Sequence, residues 1–292
     1  MAQFGKSLTK LNRSFAFKLF LFKKSEDQIN ENDLNQFKSM LTENKNLVLL
    51  NHENIISIIG IGYRFTETQQ ILGIVQPLMD SDLKTFLAKK KNIPFVKKMD
   101  ISFQIVEGLR YIHFKEFSHN DVKPQNILVK ETNGNLKVQH SDFGTMLKRK
   151  DDFNHCQGLT LEYAAPEILL AFFFDVFLEA DQRSSDIWSL GLVLFCLYFG
   201  KKLQFKSLLP WKSDSLQNAL DQSDLIGRKN LKTMILEEES KEFNEFFSIS
   251  DSGFGMPKES FKKLKGLINR CLQVKQKQRP KIEEIIEILN SI

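Results

Sequence analysis

The run His119-Asn120-Asp121-Val122-Lys123-Pro124-Gln125-Asn126 is followed, sixteen residues after Asn126, by Asp142-Phe143-Gly144. Two carboxylates, an amide and an amine at these spacings suit phosphoryl transfer from a metal-bound nucleotide. Such a transfer is mostly a matter of positioning and charge neutralisation, because the loosely bonded phosphoryl group spreads negative charge over several oxygens. In that chemistry Asp121 accepts the proton of an attacking hydroxyl, and Lys123, two residues on, neutralises the moving phosphate. Asn126 and Asp142 offer the hard oxygen ligands that Mg²⁺ takes alongside phosphates.

These groups need elements to hold them. Residues 14–22 are rich in Phe and Leu, and so short an apolar run reads as a buried strand, here carrying Ala16 and Lys18. Leu34, Phe37 and Leu41 recur at i, i+3 and i+7, which predicts the apolar face of a helix beginning after Asn32-Asp33, with Glu43 in its C-terminal half. Residues 55–60 and 71–75 read as two further strands around a polar turn. Gln76-Pro77-Leu78-Met79 then leads into Asp80-Ser81-Asp82-Leu83, where Asp82 suits a helix N-cap. Ile101, Ile105, Leu109 and Ile112 mark one stripe of a long helix ending before the Asp121 loop, and residues 136–139 read as the short strand that delivers Asp142. His119 reads as a core histidine bracing that loop. His113, and His155 with Cys156, lack metal-ligand spacing and read as structural or solvated.

Composition bounds the class. A chain of 292 residues, 42% apolar and 26% charged, can bury the core of one two-lobed domain. The net charge of +5 is mild, and its lysines, as in Lys89-Lys90-Lys91, read as solvated helix ends. No focused basic face is visible, so nucleic acid is not an expected partner. Three cysteines, odd in number and far apart, fit a reducing compartment. The long apolar run 187–199 is too short to span a bilayer, and the N-terminus lacks a signal-peptide layout. The expectation is a soluble cytoplasmic protein without a membrane partner.

Residues 119–126 and 142–144 resemble the catalytic loop and metal-binding turn of eukaryotic protein kinases. Further landmarks follow in the family's order: Ala165-Pro166-Glu167, then Asp186-Ile187-Trp188-Ser189-Leu190-Gly191, then Arg279-Pro280. The resemblance covers essentially the whole chain. It implies an α+β, two-lobed protein kinase-like fold forming a single domain over 1–292, with a small β-rich N-lobe at 1–78, lacking its first strand, and a larger helical C-lobe at 79–292.

The same resemblance assigns roles. Lys18, on the third strand of the upper lobe, grips nucleotide phosphates. Glu43, nine positions before His52 in the turn His52-Glu53-Asn54-Ile55, pairs with it. Gln76 lies at the back of the adenine pocket, the backbones of Pro77 and Met79 read the adenine edge, and Leu128 forms the floor. Pro77 lacks an N–H, but this position needs only its carbonyl. Ala16 also lines the nucleotide, and Asp82 meets the ribose. Thr160, seven residues before Glu167, bonds the catalytic Asp121 and Lys123. ATP and Mg²⁺ are the implied cofactors, and a protein bearing Ser or Thr is the implied substrate, since Lys123 matches the Asp-x-Lys-Pro-x-Asn pattern of Ser/Thr kinases.

The chain also departs from that pattern. The family's glycine-rich hairpin is matched only at Phe4-Gly5-Lys6, with seventeen residues before Lys18. Asn120 stands where most members have Arg, and residues 146–159 contain no Ser, Thr or Tyr, so the expectation is a segment not switched by its own phosphorylation. Asp151-Asp152 would instead meet local lysines. Glu167 and Asp186 are nineteen apart, and the Phe-rich run 171–178 between them reads as a helix on the lower lobe. Residues 209–257 read as loops and short helices. Leu159 replaces the glycine that usually precedes Thr160. Two readings remain: a Ser/Thr protein kinase, favoured by the retained side chains, and a pseudokinase acting as a binding or allosteric module, favoured by the missing glycines. A small-molecule kinase is countered by Thr160 and Ala165-Pro166-Glu167, parts of a peptide-docking segment.

Overall fold

Among the described residues the one four-stranded sheet is built from the first 77 positions, and most of the helices follow it. The structure, a computed structural model, describes residues 3–8, 14–23, 31–65, 69–90, 92–148, 160–169, 181–200, 255–273 and 275–292. Strands β1 (Gln3–Leu8), β2 (Ser14–Lys23), β3 (Gly60–Phe65) and β4 (Gln69–Pro77) form one antiparallel sheet in the order β1-β2-β4-β3. Ala16 faces Gln76 and Lys18 faces Ile74 across β2 and β4, so the strand bearing the lysine is in register with the strand that ends at Pro77. Beneath this sheet runs helix α1 (Glu31–Val48).

Two expectations need correcting here. Residues 55–60 do not form a strand; the strand is β3, starting at Gly60. Ile55 and Ile56 are buried, which explains the apolar run, but their backbone is tied to the lower lobe. Ile56 N donates to His140 O at 2.9 Å, and His140 N donates to Asn54 O at 2.8 Å. The second error is the face of α1. Leu34, Phe37 and Leu41 are 41%, 37% and 48% exposed, whereas Met40, Glu43, Asn44, Asn46 and Leu47 are buried. Periodicity finds an apolar face, but not which face packs. Here the inward side mixes apolar Met40 and Leu47 with Glu43 and Asn46, which bond toward the cleft.

The larger lobe opens with β5 (Ser81–Asp82) and α2 (Leu83–Lys89), followed by α3 (Phe95–Phe114), whose Ile101, Ile105, Leu109 and Ile112 are fully buried. After the short strand β6 (Phe117–Ser118) come β7 (Ile127–Thr132) and β8 (Asn135–His140), paired from Ile127–His140 to Thr132–Asn135. Only Asn133 and Gly134 join them, with φ of 52° and 82°. Both conformations are left-handed, as a tight hairpin turn requires, and Asn and Gly tolerate them. The tight turn returns the chain to its start, so Asn126 before β7 meets the residues that follow β8: Ser141 N donates to Asn126 O at 2.8 Å. Strand β9 (Leu147–Lys148) pairs with β6.

Helices α4 (Arg183–Phe199), α5 (Lys258–Cys271) and α6 (Ile282–Asn290) complete the described C-lobe, with Trp188 of α4 fully buried. The Arg279 guanidinium grips Glu167 with two hydrogen bonds, of 2.6 and 2.8 Å, and lies over the Trp188 ring, fastening the end of the chain to the segment around Ala165. No helix among the described residues is long and apolar enough to cross a membrane. The expectations for Asp151-Asp152, His155-Cys156, the run 171–178 and residues 209–254 lie outside the described residues.

Candidate active site

The loop after α3 is held from below. Asp186, at the start of α4, accepts from the backbone N–H groups of His119 and Asn120, each at 2.8 Å, and from His113 Nε2 at 2.9 Å. Asn120 takes a left-handed conformation, φ 64°, and its amide donates to Thr145 O at 3.1 Å. The buried His119 ring accepts from Asp121 N at 3.3 Å through Nδ1 and donates to Ser141 O at 3.1 Å through Nε2. One histidine thus braces the Asp121 loop against the strand that leads to Asp142.

Within that loop the side chains converge. Lys123 Nζ donates to Asp121 Oδ2 at 2.5 Å and to Thr160 Oγ1 at 2.6 Å. Asn126 Nδ2 donates to the same Asp121 Oδ2 at 2.7 Å and to Asp121 O at 2.9 Å. Asp121 Oδ1 is buried and has no hydrogen-bond partner. One oxygen of this carboxylate is thus fixed by an ammonium and an amide, and the other carries no hydrogen bond.

A second cluster joins the two lobes. Lys18 Nζ lies 2.6 Å from Glu43 Oε2 and 2.8 Å from Asp142 Oδ1. Burial alone would lower the Lys18 pKa, but the two carboxylates outweigh it and hold the ammonium above its ordinary range. Burial pushes the Glu43 carboxyl up, with Asp142 adding to the shift and Lys18 opposing it. Asp142 is more exposed. Burial raises its pKa, but the charge and hydrogen bond of Lys18 prevail and keep it below the usual carboxylate range. Asp142 is another left-handed residue, with φ 64°.

A cavity of about 420 Å³ lies between the clusters, lined by Ala16, Lys18, Glu43, Gln76, Pro77, Met79, Asp82, Asn126, Leu128 and Asp142. Every residue expected to touch the nucleotide or the metal borders it; Asp121, Lys123 and Thr160 sit beyond Asn126 instead. Both carboxylate oxygens of Asp82 are taken by the N–H and hydroxyl of Thr85, at 2.8 and 2.7 Å, so it caps α2. Gln76 is 4% exposed and its Nε2 has no partner. A larger cavity, of about 550 Å³, opens beside Phe114, Arg183 and Lys281, away from these groups.

Sequence reading passes over two supports of this site. One is the grip of Asp186 on the loop backbone, which its motif marks but does not explain. The other is Asn46, whose Nδ2 donates to Phe143 O at 2.7 Å. Its signal is its spacing, since three residues after Glu43 on a helix is the same face.

Among the described residues no three His, Cys, Asp or Glu side chains gather as a metal site. One amide and one carboxylate nevertheless fit Mg²⁺, which keeps waters and phosphate oxygens in its shell and needs few protein ligands. Asn126 spends its N–H₂ on Asp121, leaving its carbonyl oxygen as the group it can offer a cation.

Residues 5–288 match the protein kinase domain family. A probable cell division protein kinase of Encephalitozoon cuniculi is 28% identical over 244 residues, which cover 83% of this chain and 77% of that protein. The serine/threonine-protein kinase TOS3 of Saccharomyces cerevisiae is 27% identical over 249 residues, covering 80% of this chain and 40% of that protein. A probable serine/threonine-protein kinase of Dictyostelium discoideum is 24% identical over 241 residues, covering 82% of this chain and 23% of that protein. The chain thus spans less than half the length of the latter two relatives. With a match that runs from near its first residue to near its last, the chain belongs to the protein kinase domain family.

Proposed function

We propose that this chain is a Ser/Thr protein kinase, one two-lobed domain dividing near Leu78, that moves the γ-phosphate of ATP onto a protein hydroxyl with Mg²⁺. The observation that carries this reading is the state of Asp121: Oδ2 is fixed by Lys123 and Asn126, while Oδ1 carries no hydrogen bond. A substrate hydroxyl placed against Oδ1 gives up its proton there as its oxygen attacks phosphorus. Lys123, held between Asp121 and Thr160, stabilises charge on the phosphoryl group in transit. Lys18, aligned by Glu43, grips the phosphates. The backbones of Pro77 and Met79 read the adenine edge, with Gln76 behind it, Ala16 and Leu128 on its faces and Asp82 toward the ribose. Mg²⁺, held by Asn126 and Asp142, would neutralise phosphate charge when bound.

The alternative reading is a pseudokinase that binds nucleotide or a partner without catalysis. One feature favours it: strand β1 carries a single glycine, Gly5, where the family has a glycine-rich hairpin. Incubating the full chain with radiolabelled ATP, Mg²⁺ and a Ser/Thr-containing protein separates the two. Label is expected on the protein, and Asp121→Ala should reduce it by about 10²–10⁴-fold, the usual loss of a general base. Nucleotide binding without any label from the unaltered chain would select the pseudokinase.

A further inference from the structure

Helix α1 reaches the metal-binding turn by two routes. The first is ionic and runs from Glu43 through Lys18 to Asp142. The second is direct: Asn46, 6% exposed, donates from Nδ2 to Phe143 O at 2.7 Å and to Met146 O at 3.4 Å. These two carbonyls bracket the single helical turn Phe143–Thr145 that follows Asp142. Phe143 O also accepts from Met146 N at 3.3 Å, so the amide closes over a turn whose own hydrogen bond is long. Phe143 is itself fully buried, its ring 5.0 Å from that of His119. Asn46 lies on the buried side of α1 that also carries Met40 and Leu47, where an apolar side chain would pack at lower cost. The Asn46 amide nitrogen is satisfied there by the two carbonyls of the turn.

We infer that Asn46 is a positioning residue: it locks the turn carrying Asp142 to the helix carrying Glu43, so that the lysine's partner and the metal ligand are set together. The catalytic consequence rests on the kinase reading above, but the lock itself does not. Glu43 fixes the amine and Asn46 fixes the backbone that presents the carboxylate, from one face of one helix. A helix shifted by one turn would lose both contacts together.

The test uses the full chain and two substitutions. Asn46→Leu keeps the branching at Cγ and removes the donor; Asn46→His keeps an N–H near the position of Nδ2. Three quantities are read: melting temperature, deuterium exchange of amides in residues 141–147, and the Mg²⁺ concentration giving half-maximal transfer. For the leucine variant the melting temperature should hold within a few degrees, while exchange in the turn should quicken about tenfold, the change expected from losing one buried hydrogen bond. Half-saturating Mg²⁺ should rise by about the same factor with a smaller effect on the rate at saturation, and Asn46→His should recover part of both changes. Unchanged exchange in the turn would overturn the inference, as would loosening that only follows a general loss of stability. Should the leucine variant not fold, Asn46→Ser, which draws the donor back without adding apolar bulk, gives the same exchange comparison. If the unaltered chain transfers no phosphate, the kinase reading fails, and exchange still decides whether the lock exists.

Discussion

Asn44 lies buried on α1 with neither its amide nitrogen nor its oxygen hydrogen-bonded, between Glu43, bonded to Lys18, and Asn46, bonded to Phe143 O. An unsatisfied buried amide costs about 1–3 kcal/mol, so Asn44→Leu is expected to stabilise the protein by ~1 kcal/mol or more, read as a higher urea midpoint. Glu43 and Asn46 cannot be exchanged as freely. At this scale some of the site could be seen in the sequence and some could not. Asp121, Lys123 and Asn126 lie within one loop, so their spacing alone suggests that they meet. Lys18 and Glu43 come from a strand and a helix whose encounter no local spacing encodes, and only a family resemblance suggests it. Asn46 has no motif to announce it; a polar residue inside a helical pattern reads as surface until the partner carbonyl is known.

Among the elements, α3 lies against β8 with almost no clearance. A Cβ on Gly108 would stand 2.6 Å from the His140 ring and 2.8 Å from Asn54 O. Neither can give way, since His140 is buried with Nε2 bonded to Ile105 O and Asn54 O accepts the His140 N–H. Gly108→Ala improves helix propensity by about 1 kcal/mol, yet overpacking costs about 1–3 kcal/mol. The variant should be destabilised on balance, which thermal unfolding would show as a lower midpoint. Helix α3 itself was readable from its apolar repeat, because that repeat coincides with the buried stripe. The same reasoning misplaced the face of α1, where exposed Leu34, Phe37 and Leu41 keep the helical period but point away from the cleft. It also turned residues 55–60 into a strand, because burial by the lower lobe and burial in a sheet leave the same apolar trace.

For the molecule as a whole, His140 sets an acid limit. Burial holds its pKa down to about 3, against an ordinary value near 6.5, with the neighbouring His119 adding to the shift. The native state therefore keeps this ring neutral while the unfolded chain takes up a proton. Its contribution is fully present above about pH 6.5 and is lost as pH falls toward 3. Between pH 6.5 and 5 the loss should reach ~2 kcal/mol, at 1.36 kcal/mol per unit. Urea midpoints measured across that range should fall, and His140→Gln, which can keep the donor to Ile105 O, should flatten the slope. A slope unchanged in that variant would assign the acid limit to other groups. The order of lobes and the overall class were accessible from the sequence because the landmarks are short and come in a fixed order. The pairing β1-β2-β4-β3 was not, since strand order depends on contacts between residues far apart in the chain.

The two-residue bend at Asn133 and Gly134 makes the fifteen positions between Asn126 and Asp142 a ruler of fixed length. One added or deleted residue within either arm would turn the following side chains to the opposite side of the ribbon. Asp142 would then face away from Lys18, with every chemical group still present in the chain. The span from Asn126 to Asp142 should therefore admit substitution but not resizing.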